Sequence, residues 1–345
     1  MNRFLSSLFM FGIGFALLFL LCSGHFAVLS RNDNLDVQLQ LFSRVRPEIL
    51  VLGDSHAAMD VDARTLGPRY FSFAYPQENW REILLKARYA FDAKPEIREV
   101  VIPLDVHMFG AYRNEDEDLT HTMRFDRSYE HLAETFGGRW FRAHYVRSLS
   151  SLYLPLTLAP NWTNYRVLVL DDLSKNILGK TPRKRIEIDA YGSMSYSDTN
   201  EFDSLPASSR REAARARAQE QLHDPIVCAP LVRAFDSFLD LCASRRIQVI
   251  GVRYPLTPEF REAAASYDLE RVEQVYRDRS GHFEHVLDYR TLFDGKPGSF
   301  RDEDHLTKHA ALEFTNRFRR DLEQIVPEPS ELRSASWERG TAVAP

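Results

Sequence analysis

Two short stretches near opposite ends of the chain carry side chains suited to acyl transfer. The first is Gly53-Asp54-Ser55-His56, which follows directly on the apolar run Ile49-Leu50-Val51-Leu52. A serine where a buried strand turns into a helix meets unpaired backbone N–H groups and the positive end of the helix dipole. Its own N–H is placed to stabilise an oxyanion. Taken alone, the tetrapeptide also reads as a plain turn with a capping Asp or Ser. The second stretch is Asp302-Glu303-Asp304-His305-Leu306, just before an apolar helical pattern. One turn of chain separates Asp302 from His305, which lets the carboxylate reach Nδ1 and leaves Nε2 to face a nucleophile. The same residues also fit an acidic helix start, or a cation site of Asp302, Asp304 and His305. Together the two stretches supply a nucleophile, Ser55, a base, His305, and an orienting acid, Asp302.

More polar residues follow the other apolar runs. Tyr75-Pro76-Gln77-Glu78-Asn79 comes after the second run and Leu104-Asp105-Val106-His107 after the third. Open α/β sheets bind ligands at the carboxyl ends of their strands. Asp54, His56, Gln77, Asn79, Asp105 and His107 are therefore the expected substrate- and oxyanion-contacting set. Asn79 serves equally as the cap of the next helix, and Gln77 as an ordinary loop residue. No metal and no cofactor is expected.

The elements that must position these residues alternate in type. Strands are expected at 48–53, 70–74, 99–104, 247–252 and 284–288. Helices are expected at 79–93, 231–243, 258–277 and 308–325. This alternation predicts an α/β fold, a three-layer sandwich with a central parallel sheet covered on both faces. Residues 109–224, between the third and fourth strands, read as an insertion that caps or walls the site. It contains Trp140, Phe141, Tyr145, Tyr153, Trp162 and Tyr165 and an Arg-rich helix at 209–221. The organisation is an N-terminal anchor (1–30), a juxtamembrane linker (31–46), a catalytic domain (47–326) and a disordered Pro-, Ser- and Glu-rich tail (327–345).

The chain resembles the SGNH/GDSL hydrolase superfamily, whose first block carries Gly-Asp-Ser and whose last carries Asp-x-x-His. Gly53-Asp54-Ser55 and Asp302-x-x-His305 match in order and position, and the likeness runs over roughly 48–325. The resemblance implies a flavodoxin-like sheet and a Ser55–His305–Asp302 triad. The middle blocks depart: where the family has a Gly and then an Asn lining the oxyanion hole, this sequence has neither. An apolar N-terminus with such middle blocks resembles extracytoplasmic members that acylate cell-envelope polymers, as in alginate O-acetylation and teichoic-acid D-alanylation. By that likeness Ser55 passes an acyl group to a polysaccharide or envelope glycan beside a membrane-bound O-acyltransferase. The alternatives are an esterase with the same triad and an inactive assembly subunit that keeps the fold.

Phe4 to Ser30 contains no Asp, Glu, Lys or Arg, a run long enough to cross a bilayer. A retained anchor is expected rather than a signal cut near Cys22-Ser23-Gly24, because the apolar run continues through Phe26, Ala27, Val28 and Leu29. Arg3 favours an inside N-terminus, although Arg31, Arg44 and Arg46 blur that bias. The expected location is the inner membrane, single-pass, with the catalytic domain periplasmic. Across 345 residues, 44% hydrophobic and 27% charged is the balance of a globular chain, and a net charge of −5 gives no footprint for nucleic acid. Cys22, Cys228 and Cys242 show no metal spacing and read as inert thiols. The basic groups Arg183-Lys184-Arg185 and Arg210, Arg211, Arg215 and Arg217 read as solvated faces.

Overall fold

The computed structural model describes residues 2–30, 34–114, 129–136, 187–195 and 202–326, with the single positions 125, 166, 169 and 170. The chain is α/β. Five strands form one parallel sheet: β1 (Ile49–Val51), β2 (Tyr70–Ser72), β3 (Glu99–Pro103), β6 (Gln248–Arg253) and β7 (Phe283–Asp288). Their order across the sheet is β2-β1-β3-β6-β7. A small antiparallel pair, β4 (Glu187–Ile188) and β5 (Met194–Ser195), forms a second sheet whose connecting turn lies against β2.

Along β1, β2, β3 and most of β6 both faces of the sheet are buried, so successive residues along one strand serve different cores. Leu50 and Leu52 of the first strand, with Phe71, Val100 and Ile102, face one apolar cluster. Ile49 and Val51, with Val101 and Ile250, face the other. That explains why the strands read as continuous apolar runs rather than as alternating ones. The first face is covered by α5 (Trp80–Ala93) and α8 (Ala229–Arg245), whose Trp80 ring lies 4.2 Å from that of Phe235. The second face is covered by α3 (Ser55–Asp60), α4 (Ala63–Leu66) and α11 (Lys308–Ile325). Ala311, Phe314, Phe318 and Leu322 recur at helical spacing along α11 and form its buried stripe.

Local chemistry sets where the helices begin. Asn79 and Glu82 make a reciprocal capping box at the start of α5. Thr307 caps α11 and Thr257 caps α9 (Pro258–Ala264). The single helix expected at 258–277 is two, α9 and α10 (Leu269–Arg277). Phe260 and Ala264 are the buried residues of one, Val272 and Tyr276 of the other. On one continuous helix these four would spread over roughly 160°, and the break brings them back toward one core.

Between β3 and β6 the described pieces are a short 3-10 turn at Ala111–Arg113, α6 (Tyr129–Phe136), β4, β5 and α7 (Ala207–Leu222). The expected aromatic stretch from Trp140 to Tyr165, Arg183-Lys184-Arg185 and the tail from 327 lie outside the described residues.

At the N-terminus α1 (Asn2–Ser30) includes a 23-residue segment, Phe4–Phe26, long and apolar enough to cross a membrane. In the juxtamembrane region, expected to be a linker with some ordered structure around its amphipathic stretch, α2 (Asn34–Arg44) forms and packs on the domain. Leu35 and Phe42 are fully buried, and the Phe42 ring stacks 4.7 Å from that of Phe73. Buried Gln38 donates from Nε2 to the carbonyls of Ser72 (3.2 Å), Ala74 (2.9 Å) and Gly192 (2.9 Å). Replacing Gln38 with Leu removes those donors and leaves buried carbonyls unpaired. The variant is expected to lose about 1–3 kcal/mol of stability, read as a lower denaturation midpoint.

Candidate active site

β1 ends at Gly53, whose φ of +139° an L side chain rarely adopts. A Cβ there would lie 2.8 Å from Pro103 Cδ and 2.9 Å from Ala57 Cβ. Glycine thus lets the chain turn sharply into α3 against β3, with Ser55 as the first helical residue. At the other end of the chain Asp302 shapes its own loop, its Oδ1 accepting the backbone N–H groups of Asp304 (3.2 Å) and His305 (2.8 Å).

The fold brings the two stretches together. Ser55 Oγ lies 2.8 Å from His305 Nε2, and His305 Nδ1 lies 2.8 Å from Asp302 Oδ1. Ser55 and Asp302 are partly exposed and His305 is buried, so solvent reaches the line from its two ends. A neutral imidazole so held can take the serine proton, and the carboxylate then stabilises the imidazolium. Burial opposes a charge on His305, but Asp304 and Asp302 outweigh it and raise its pKa to about 9. The ring therefore holds its proton at neutral pH and becomes a base only in alkaline solution.

Asp54 caps α3 through His56 N, but it is no cleft residue. It is fully buried, with Oδ2 accepting from His107 Nε2 at 2.7 Å and from the guanidinium of Arg113. Burial raises a carboxyl pKa, yet Arg113 and His107 hold Asp54 well below the usual range. An ionised carboxylate accepts and cannot donate to an oxyanion. Asp105 and His107 are likewise buried instead of lining a cleft. Asp105 Oδ2 pairs with His56 Nδ1 at 2.8 Å, and the His56 and His107 rings meet edge to face at 5.0 Å. Burial keeps His107 below its ordinary pKa, whereas for His56 burial is outweighed by Asp105 and its pKa rises. Asp54, His56, Asp105 and His107 are of metal-ligand type and lie close together. In the structure each ring is paired with a carboxylate and Arg113 adds positive charge, so this is a hydrogen-bonded floor beneath Ser55.

Asn79 takes its capping role: its side-chain oxygen accepts from Arg81 N (2.9 Å) and Glu82 N (3.3 Å). Gln77 is exposed, and its φ of +69° makes it the third residue of a Pro76-Gln77 turn closed by Glu78 N to Tyr75 O at 3.3 Å. Pro at the second position and positive φ at the third define a type II turn, whose usual residue there is Gly. The position keeps a glycine's backbone without being glycine. Tyr75 N bonds Gly53 O at 3.0 Å, which seats this turn beside the start of α3.

Several residues of this site were not expected to belong to it. Arg217, read as solvated, reaches Asp304 Oδ2 at 3.1 Å, and Gln221 donates to the same oxygen at 2.7 Å. Their signal was present: Ala214, Ala218 and Leu222 form the buried stripe of α7, and Arg217 and Gln221 flank it. Arg113 carried no comparable pattern. Asp60, the last residue of α3, is fully buried and accepts Leu306 N at 3.1 Å.

Neither a scan against protein-family models nor a search of curated proteins finds a match for this chain.

Burial raises the Asp60 pKa from an ordinary 3.8 to about 7, against the pull of His305 and His56. The folded state thus keeps a proton that the unfolded chain releases, and the contribution of Asp60 to stability falls as pH rises through that interval. Asp60→Asn is expected to flatten this slope, gaining on the order of 3 kcal/mol at pH 8 relative to its effect at pH 4. Urea titrations at the two pH values measure it.

Proposed function

We propose that this chain is a membrane-anchored SGNH-type serine acyltransferase that acylates an extracytoplasmic polysaccharide or cell-envelope polymer through an acyl-Ser55 intermediate. The observation that carries the reading is the unbroken line Ser55 Oγ–His305 Nε2, His305 Nδ1–Asp302 Oδ1, each 2.8 Å, at the carboxyl end of a parallel sheet. In the first half-reaction neutral His305 removes the Ser55 proton and Oγ attacks the donor's acyl carbon. The tetrahedral adduct collapses, and the leaving group departs with the proton from His305. In the second, His305 takes a proton from a sugar hydroxyl, whose oxygen attacks the acyl-serine; the adduct collapses with His305 returning that proton to Oγ, which frees Ser55 and neutral His305. Oxyanion donors on this reading are the Ser55 N–H, at the start of α3, and the N–H presented by the Gln77 turn. The apolar helix α1 supports a single membrane span, and Arg3 ahead of the apolar run favours the inside N-terminus that puts the domain on the periplasmic side of the inner membrane on this reading. A membrane-bound O-acyltransferase is the partner this reading calls for.

The full chain, purified in detergent, is expected to hydrolyse 4-nitrophenyl acetate, with kcat/KM rising with pH to a midpoint near 9 as His305 loses its proton. Ser55→Ala should lower kcat/KM by about a thousandfold or more with an unchanged melting temperature. Full activity in that variant would remove Ser55 from the chemistry. Supplying a glycan and detecting its ester by mass spectrometry separates transfer from hydrolysis.

A further inference from the structure

Behind the Ser55–His305–Asp302 line lies a second acid–imidazole pair to which the acyl-transfer chemistry gives no task. His56 Nδ1 is 2.8 Å from Asp105 Oδ2, and buried His56 Nε2 makes no hydrogen bond among the described residues. That nitrogen faces Asp304 Oδ2 at 3.7 Å, while Asp304 Oδ1 lies 3.1 Å from His305 Nδ1. The His56 and His305 rings are 5.1 Å apart at 77°. One carboxylate therefore stands between two imidazoles. Asp304 also differs from Asp302 in its surroundings. Its side chain is 1% exposed against 32% for Asp302, which is further offset by Arg301 at 3.0 Å. A charge shielded from water acts on its neighbour with far less screening.

We propose that Asp304 and His56 are positioning residues for His305: Asp304 sets how tightly the imidazole holds its proton, and His56 with Arg217 sets how much of the Asp304 charge the imidazole feels. The proposal rests on His305 being the base of the reaction. It predicts effects of opposite sign. Removing the Asp304 charge loosens the His305 proton. Removing a cation from Asp304 tightens it. Among the described residues, the other groups facing His305 are Ser55 and Asp60 from α3 and Asp302, with Arg301 behind it, from its own loop. Gln221 and Tyr112 face Asp304, and Asp54, Asp105, His107 and Tyr254 surround His56. None of these is altered by the variants below.

The full chain, made with 13C-labelled histidine and held in detergent, gives a ring resonance for His305 that disappears in His305→Asn. Its titration midpoint is followed in the unmodified protein and in three variants. Asp304→Asn is expected to move it down by about one pH unit or more. Arg217→Gln and His56→Gln are expected to move it up. The rising limb of kcat/KM against pH for 4-nitrophenyl acetate should move in the same directions, which a loss of packing alone would not cause. An unmoved midpoint in Asp304→Asn, or a shift of the same sign in Asp304→Asn and Arg217→Gln, overturns the proposal. Arg217 is partly exposed, so its variant keeps the test available should Asp304→Asn unfold. Midpoints that shift as expected in a protein whose turnover survives Ser55→Ala would uphold the coupling and overturn the acyl-serine reading instead.

Discussion

A carboxylate withdrawn from water has to be matched by positive charge and hydrogen bonds, and the region beneath Ser55 is organised by that requirement. Asp54 is matched by Arg113 and His107, Asp105 by His56, and Asp304 by Arg217, Gln221 and His305. These partners come from α3, the loop after β3, α7 and the loop before α11. Breaking one pair would strand its neighbour's charge, so four distant parts of the chain hold one another in register. The serine hydroxyl stands where it does because Asp54, the residue before it, is fixed on three sides.

The sheet explains why those parts converge. β1 lies inside the sheet, between β2 and β3, and α3 leaves its carboxyl end. Asp105 and His107 leave the adjacent β3, and Tyr254 N, just past β6, donates to Asp105 Oδ1 at 3.3 Å. Parallel strands bring all three departures to the same side. α11 then packs against α3 and α4 on the second face and carries the His305 loop with it. The geometry of the site is thus a property of strand order as much as of the residues that compose it.

The strands and most helices were legible in the sequence because their signals are local: short apolar runs, the first ended by Gly53, and stripes such as Ala311, Phe314, Phe318 and Leu322. The juxtaposition of Ser55 with His305 was legible through paired motifs, although 250 positions separate them. What was not legible is pairing that depends on the finished fold. His56, Asp105 and His107 look like cleft residues when placed only by strand ends, and burial becomes visible once Arg113 and α7 close over them. Arg217 looks solvated until Asp304 is known to lie beneath it. α2 looks like a linker in the sequence because its eleven residues carry both polar and apolar faces, and sequence alone does not say which surface receives the apolar one.

Gln38 joins that helix to the sheet by occupying outward carbonyls of β2, and Ser72 N is taken by Tyr191 O at 2.8 Å. The opposite border, β7, instead displays the acidic side chains of Glu284 and Asp288 to solvent. One margin is sealed by an amide; along the other, Asp288 is paired with Arg290 at 2.6 Å and Val286 stands exposed between the two acids, a border blunted by hydrated charge rather than covered. Crowded side by side on a surface, such molecules could join their sheets at β7 only by stripping water from those charged groups.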